Sequence, residues 1–360
     1  MQEALAASDE IILERIGSAG VIRLNRPKAL NSLNLAMVRS IRQALEAFAE
    51  DPAVGAVVVA GNGERGLCAG GDIRVLYDMG KAGDPEATRF WQEEFPLNYA
   101  ISRYPKPYVV LMDGITMGGG VGLSAHGSHR IVTERTRLAM PETGIGYFTD
   151  VGASWLLPKA PGEAGTWMGL TGLEVAAADA IYAGLADACI HSDRLPALME
   201  ALGNVNAADA DAERVDTVIS RFTVPAGESL LEQNQAVIDR CFRFDRVEDI
   251  LEALSREESP FAEHSYETIR KRSPTSLKLT LRLLRAGRSS SGLVECLERE
   301  YRAGVEILRN HDFYEGVRAA IIDKDRNPRW SPATLDEVGS ETIDRYFGGK
   351  HGTLFPDHRL

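Results

Sequence analysis

Two stretches of this sequence give up side chains where a chain would normally use them for packing. In GITMGGGVGLSAHG (residues 114–127), three consecutive glycines, Gly118 to Gly120, follow an apolar run and precede a helical one. In RGLCAGGDI (65–73), Gly70 and Gly71 stand ahead of a second helix start. A strand-to-helix turn leaves unpaired backbone N–H groups at the positive end of the helix, and glycine lets a ligand atom approach them closely. Two such donors converging on one oxygen would form an oxyanion hole, where losing one donor costs about 2.7–4 kcal/mol of barrier. For either cluster alone, a tight turn that needs glycine for packing explains the pattern equally well. Neither cluster matches GxGxxG or GxxxxGK[ST], so hydride transfer and nucleotide hydrolysis lose support.

Acidic residues supply the second kind of chemistry. Glu94 lies in RFWQEEFPLNYAI, where helical spacing puts it on one face with Phe90, Trp91, Leu97 and Ile101, while Glu93 points elsewhere. An acid in an apolar stripe is costly without a partner. Pro96, two residues on, is expected to kink or end that helix. Glu142 and Asp150 stand eight residues apart in MPETGIGYFTDVG (140–152), and Asp150 also suits a helix N-cap.

Positioning these groups requires an α/β framework. IILERIG and GVIRLNRP alternate like a hairpin around Ser18, Ala19 and Gly20; a helix follows behind a cap at Asn31 or Ser32, with Leu33, Met37, Ile41 and Leu45 at helical spacing. AVGAVVVAG and YVVLMDG read as strands covered on both faces, with a helix near 86–103 between them. Strand and helix alternation implies an α/β core. The stretch 201–228, rich in small and acidic residues, reads as a connection, and beyond it the spacing is helical almost to the end. There Ser273 and Pro274 open a helix that Gly287 is expected to stop. The expected division is a core over 8–200 and a helical region over 201–360.

Composition narrows the class. A net charge of −12 and a pI near 5.2 argue against a nucleic-acid surface, and no 18-residue apolar run suggests a membrane span. Cys68, Cys189, Cys241 and Cys296 are widely spaced and read as free thiols; the N-terminal MQEALAASDE lacks the charge and apolar pattern of a secretory signal. Together these predict a reducing, cytoplasmic location. His126 and His129 lack partners at ligand spacing, so no metal is expected, and Ser124 and Ser128 are not in a GxSxG elbow. Lys278, Arg282 and Arg285 read as a solvated basic face, whereas Arg26, Lys28, Arg65 and Arg74 are the cations nearest the glycine turns.

The sequence resembles the crotonase, or enoyl-CoA hydratase/isomerase, superfamily. The likeness runs through LNRPKALNSL (24–33), CAGGDI (68–73), GITMGGGVGLS (114–124) and MPETGIGYFTDVG (140–152), and continues in HDFYEGVRAAIIDKDRNPRW (311–330). It implies a crotonase-type spiral core of ββα repeats with a helical C-terminal region, an acyl-CoA substrate with no separate cofactor, and an ability to form homo-oligomers. It further implies that the Gly71 and Gly119 N–H groups hold a thioester oxyanion. Hydratases of the family use two glutamates; here the first position is Gly122 and only Glu142 remains, which favours thioester hydrolysis over hydration. The implied reaction is hydrolysis of 3-hydroxyisobutyryl-CoA or a close 3-hydroxyacyl-CoA, as in valine breakdown. Glu142 would attack the carbonyl or activate water, Asp150 would assist, and Glu94 would bind the substrate hydroxyl. Arg26, Lys28, Ala29, Leu30, Ala69, Gly70, Gly71, Asp72 and Ile73 would clasp CoA. Thr149 departs from a usual proline, and GASWLL replaces a more glycine-rich stretch. A hydratase or isomerase, or an acyl-CoA-binding protein without catalysis, are the alternatives.

Overall fold

The computed structural model describes residues 9–348 and 352–356. The N-terminal segment read above for a targeting signal therefore lies, up to residue 8, outside the described residues. The chain forms two compact units, each assembled from separate stretches. The first comprises 1–71, 96–138 and 175–229, and the second 72–95, 139–174 and 230–360.

The first unit holds nearly all the strands: β1 (Ile11–Ile16), β2 (Ala19–Leu24), β3 (Ala56–Gly61), β4 (Gly66–Cys68), β5 (Tyr108–Met112), β6 (Ile115–Met117), β7 (His129–Val132), β8 (Arg137–Ala139) and β9 (Ala188–Cys189). A six-stranded sheet runs β1-β2-β3-β5-β7-β9, antiparallel at β1/β2 and parallel elsewhere; a three-stranded sheet runs β4-β6-β8. The Val-rich β3 and β5 are buried along almost their whole length, as parallel strands covered on both faces must be. The hairpin turns at Gly17 and Ser18, so Ala19 and Gly20 already pair in β2.

Two details of the expected elements differ. The cap of the helix Leu35–Glu50 is Asn34, whose side chain accepts the Met37 N–H at 2.9 Å. Asn31 is instead buried and donates to the carbonyls of Asn62 (3.0 Å) and Gly66 (3.1 Å), tying two loops together. The 201–228 stretch is not a bare connection. Leu202, Val215, Val218 and Ile219 belong to the core against Val58, Val109 and Ile131 of the sheet. Val215 and Val218/Ile219 stand three and four apart, a helical period that the surrounding small and acidic residues disguise.

The second unit is mainly helical, and its C-terminal stretch bears out the helical spacing. Ser273 caps the helix Pro274–Arg288 by accepting the Ser276 N–H at 3.1 Å. Gly287 does not stop that helix. It lies inside the last turn, where an added Cβ would fall 1.7 Å from the Ser154 carbonyl oxygen, so glycine serves close packing there. The helix Arg89–Ser102 continues through Pro96. Of Lys278, Arg282 and Arg285, only Arg282 is exposed as a solvated face requires; Lys278 and Arg285 are half-buried. Lys278 pairs with Glu248 at 2.6 Å, Arg282 with Asp344 at 2.5 Å, and Arg285 with Glu163 at 3.0 Å and Asp245 at 2.9 Å while also donating to the Phe242 and Phe244 carbonyls. Among the described residues no helix is long and apolar enough to cross a membrane.

Candidate active site

In the second unit, three predicted carboxyl groups come together. Glu94 is 2% exposed, and Glu142 and Asp150 are each 6% exposed. Glu142 opens the short 3-10 turn Glu142–Ile145, which is locked from below. At Gly146, φ is +71° and an added Cβ would lie 1.9 Å from the Asp312 carbonyl oxygen, so only glycine lets this turn rest on the helix His311–Val317. The buried Asp312 accepts from Ser273 Oγ at 2.6 Å and Ser331 N at 2.7 Å, and the Ser273 N–H bonds the Thr143 carbonyl at 3.1 Å. Hence the late HDFYEGVRAAIIDKDRNPRW motif acts as a foundation for Glu142.

The electrostatics follow from burial without cations. Desolvation, reinforced by Asp150, holds both the Glu94 and the Glu142 carboxyls well above the usual range. Asp150 is pushed up to about 8 by burial and by Glu300, although the Tyr147 hydroxyl donates to its Oδ2 at 3.0 Å. Burial and Asp150 in turn raise the Tyr147 phenol, whose ring lies near-parallel to those of Phe148 (centroids 4.4 Å apart) and Trp91 (6.1 Å). Glu94 Oε1 and Glu142 Oε2 are buried without a hydrogen-bond partner among the described residues. Buried polar atoms of this kind normally have partners, and a polar ligand would complete these. Such a cluster can give a proton to one oxygen and, once an acid in it ionises, take one from water or attack a carbonyl.

In the first unit the two glycine turns meet. An added Cβ at Gly70 would lie 3.6 Å from the Gly119 N, and one at Gly120 would fall 2.4 Å from the Cys68 carbonyl oxygen. Gly118 caps the helix Gly119–Ser124 with φ +49° and ψ −119°. The turn at 69–71 is stitched to the loop before it: Ala69 N–H bonds the Leu30 carbonyl at 3.0 Å and Leu33 N–H the Gly70 carbonyl at 2.8 Å. Arg65 donates to the carbonyls of Pro27 and, at 3.1 Å, Lys28. Arg26 is committed to Glu10 at 3.0 Å and to the Ser32 carbonyl at 2.7 Å, so both arginines shape this loop. Lys28 and Ala29 are exposed on it, and Leu30 is half-buried. Asp72 and Ile73 open the helix Ile73–Ala82 of the second unit, on which Arg74 is exposed. Ser124 donates back to the Gly120 carbonyl at 2.8 Å, and His129 is buried with Nδ1 2.8 Å from Ser128 Oγ. No group of three His, Cys, Asp or Glu side chains among the described residues could hold a metal ion.

Asp150 is not the cap of the helix that follows it. Gly152 occupies that position, and the cap is supplied by a residue the sequence reading missed, Glu300. A signal for it existed. Glu300 falls on the apolar stripe of Leu293, Cys296, Leu297, Gly304 and Ile307, as Glu94 does on its own helix. Tyr147, the other missed residue, has no such signature.

Residues 19–347 match a family described as enoyl-CoA hydratase/isomerase. Over 352 residues the chain is 42% identical to a Homo sapiens protein named "3-hydroxyisobutyryl-CoA hydrolase, mitochondrial", covering 96% of this chain and 90% of that one. A Gallus gallus protein of the same name is 43% identical over 343 residues, covering 94% and 88%. Among solved structures, a carnitinyl-CoA dehydratase from Mycobacterium thermoresistibile superposes with a TM-score of 0.90 at 41% identity, covering 96% of this chain and 98% of that one. An enoyl-CoA hydratase from Rhodobacter sphaeroides gives 0.86 at 40%, covering 95% and 98%. The expected cytoplasmic location is corrected by these relatives, whose names point to the mitochondrion. Four buried free thiols do not distinguish one compartment from another.

Proposed function

Because the chain belongs to the enoyl-CoA hydratase/isomerase family, we infer that it is a thioester hydrolase that converts 3-hydroxyisobutyryl-CoA and water to the free hydroxy acid and CoA. Its fold is the α/β crotonase fold with a helical C-terminal region. The observation that carries the reaction is identity above 40% with several hydrolases of that name over nearly the whole chain.

Roles for the residues follow as proposals. Glu142, in its ionised form, either attacks the thioester carbonyl, expelling the CoA thiolate and leaving a mixed anhydride that water then splits into the hydroxy acid and free Glu142, or takes a proton from the water that attacks the carbonyl. In both routes a proton from that water ends on the departing thiolate, which leaves as the thiol. Asp150 steadies the water or the hydroxyl group near it. Glu94, with an unpartnered buried oxygen, takes the substrate hydroxyl. Backbone N–H groups of Gly71 and Gly119 hold the carbonyl oxygen as it gains charge. The loops at 28–30 and 69–73 hold CoA. We place the reaction in valine breakdown and expect a homo-oligomer.

Hydration is the second reading, favoured by the names of the solved structures. Against it, the helix Gly119–Ser124 carries Gly122 rather than a second acid. Glu142→Gln tests the assignment: thiol release should disappear while binding of the CoA ester, measured by calorimetry, changes little. Unchanged turnover would remove Glu142 from the reaction.

A further inference from the structure

Glu300 is fully buried on the helix Leu293–Ile307, and both of its oxygens are engaged. Oε2 accepts the Gly152 N–H at 2.7 Å, while Oε1 accepts the Ser154 N–H at 3.0 Å and the Ser154 hydroxyl at 2.5 Å. The turn it grips carries Asp150. Val151 has φ +53°, a conformation that is strained for a β-branched residue and persists only where surrounding structure enforces it. Gly152 follows with φ +81° and no side chain to cap the helix Ala153–Leu156. From the other side, the close approach of Gly287 to the Ser154 carbonyl oxygen fixes the same backbone.

We propose that Glu300 is a positioning residue for the reaction: its three accepted hydrogen bonds hold the left-handed Val151 turn and thereby aim the Asp150 carboxyl. An amide cannot do the same, because three donors face it and one end of a glutamine would itself be a donor. The two acids are also coupled by charge. Asp150 faces Glu300, Tyr147, Glu94 and Glu142, and Glu300 faces Asp150, Arg299 and Cys296; burial and then the Glu300 charge raise Asp150, while Arg299 acts on Glu300 and holds it down. The inference rests on the assignment of Asp150 to catalysis.

The test is a double-mutant cycle of Glu300→Gln with Asp150→Asn in the full chain, read by thiol release, together with a carboxyl ¹³C NMR titration of Asp150. Glu300→Gln should lower kcat about 10–100-fold with KM within about twofold, on the scale of a misplaced catalytic group. The loss should shrink to near nothing in the Asp150→Asn background, and the Asp150 titration midpoint should move down. Equal losses in both backgrounds with an unmoved midpoint would overturn the proposal. Failure of the catalytic assignment looks different: Asp150→Asn would keep full activity while the midpoint still moved. Should Glu300→Gln not fold, Ser154→Ala removes the hydroxyl donor alone and should show the same dependence on Asp150, with a smaller loss; additive behaviour there refutes the proposal equally.

Discussion

Replacing Asp150 with asparagine should make the protein more stable as it slows turnover to a residual, measurable rate, and the gain should depend on pH in a defined way. The folded state holds the Asp150 carboxyl up to about 8, whereas an aspartate in the unfolded chain ionises near pH 4. Between those values the folded state keeps a proton that the unfolded state has lost, so this group's contribution to stability is full below the unfolded pKa and declines as pH rises through the folded one. Asparagine copies the shape of the neutral acid, still accepts the Tyr147 hydroxyl, and has no such dependence. The variant's advantage should be small at pH 4, grow by up to about 1.4 kcal/mol per pH unit, and level off above pH 8. Because Glu94, Glu142 and Glu300 share the pocket and relax once one charge is removed, an advantage on the order of 3–4 kcal/mol at pH 8 is expected. Urea unfolding followed by the fluorescence of the buried Trp91 and Trp167, at half-unit steps from pH 5 to pH 8.5, measures it. Parallel stability curves for the two proteins would refute the claim that Asp150 is a buried, neutralised acid.

Two further substitutions test the acyl site and the glycine turn separately. Glu94→Gln should lower kcat/KM for 3-hydroxyisobutyryl-CoA about 10–100-fold, and change isobutyryl-CoA, which lacks the hydroxyl, far less; a uniform loss on both esters would take hydroxyl recognition away from Glu94. Gly120→Ala would force a methyl to within 2.4 Å of the Cys68 carbonyl oxygen, so the 68–71 and 118–120 turns must separate. Thiol release should fall on the order of 100-fold, as when an oxyanion donor is displaced, and a variant with wild-type kcat and melting temperature would contradict the geometry.

What could be read from the sequence depended on whether a residue's task left a local trace. The glycine turns were visible because a missing side chain is itself a pattern, and Glu94 was visible because an acid interrupts an apolar stripe. Glu142 and Asp150 stood out through the family motif, but the role of HDFYEGVRAAIIDKDRNPRW did not, since Asp312 supports the Glu142 turn from far along the chain. Glu300 escaped for the same reason: it caps a helix 148 residues away. Gly287, Lys278 and Arg285 misled in the opposite direction. A glycine near a helix end and a row of cations have ordinary local readings, and only tertiary packing shows that one admits the Ser154 carbonyl and the other clamps Glu163, Asp245 and Glu248.

The most direct test of the central claim is to give purified protein 3-hydroxyisobutyryl-CoA and follow free thiol, beside a parallel assay for hydration of crotonyl-CoA. Rapid CoA release without hydration is the expected result. Hydration without thiol release would contradict it, and would mean that Gly122 in place of a second glutamate does not divert the family's chemistry to hydrolysis.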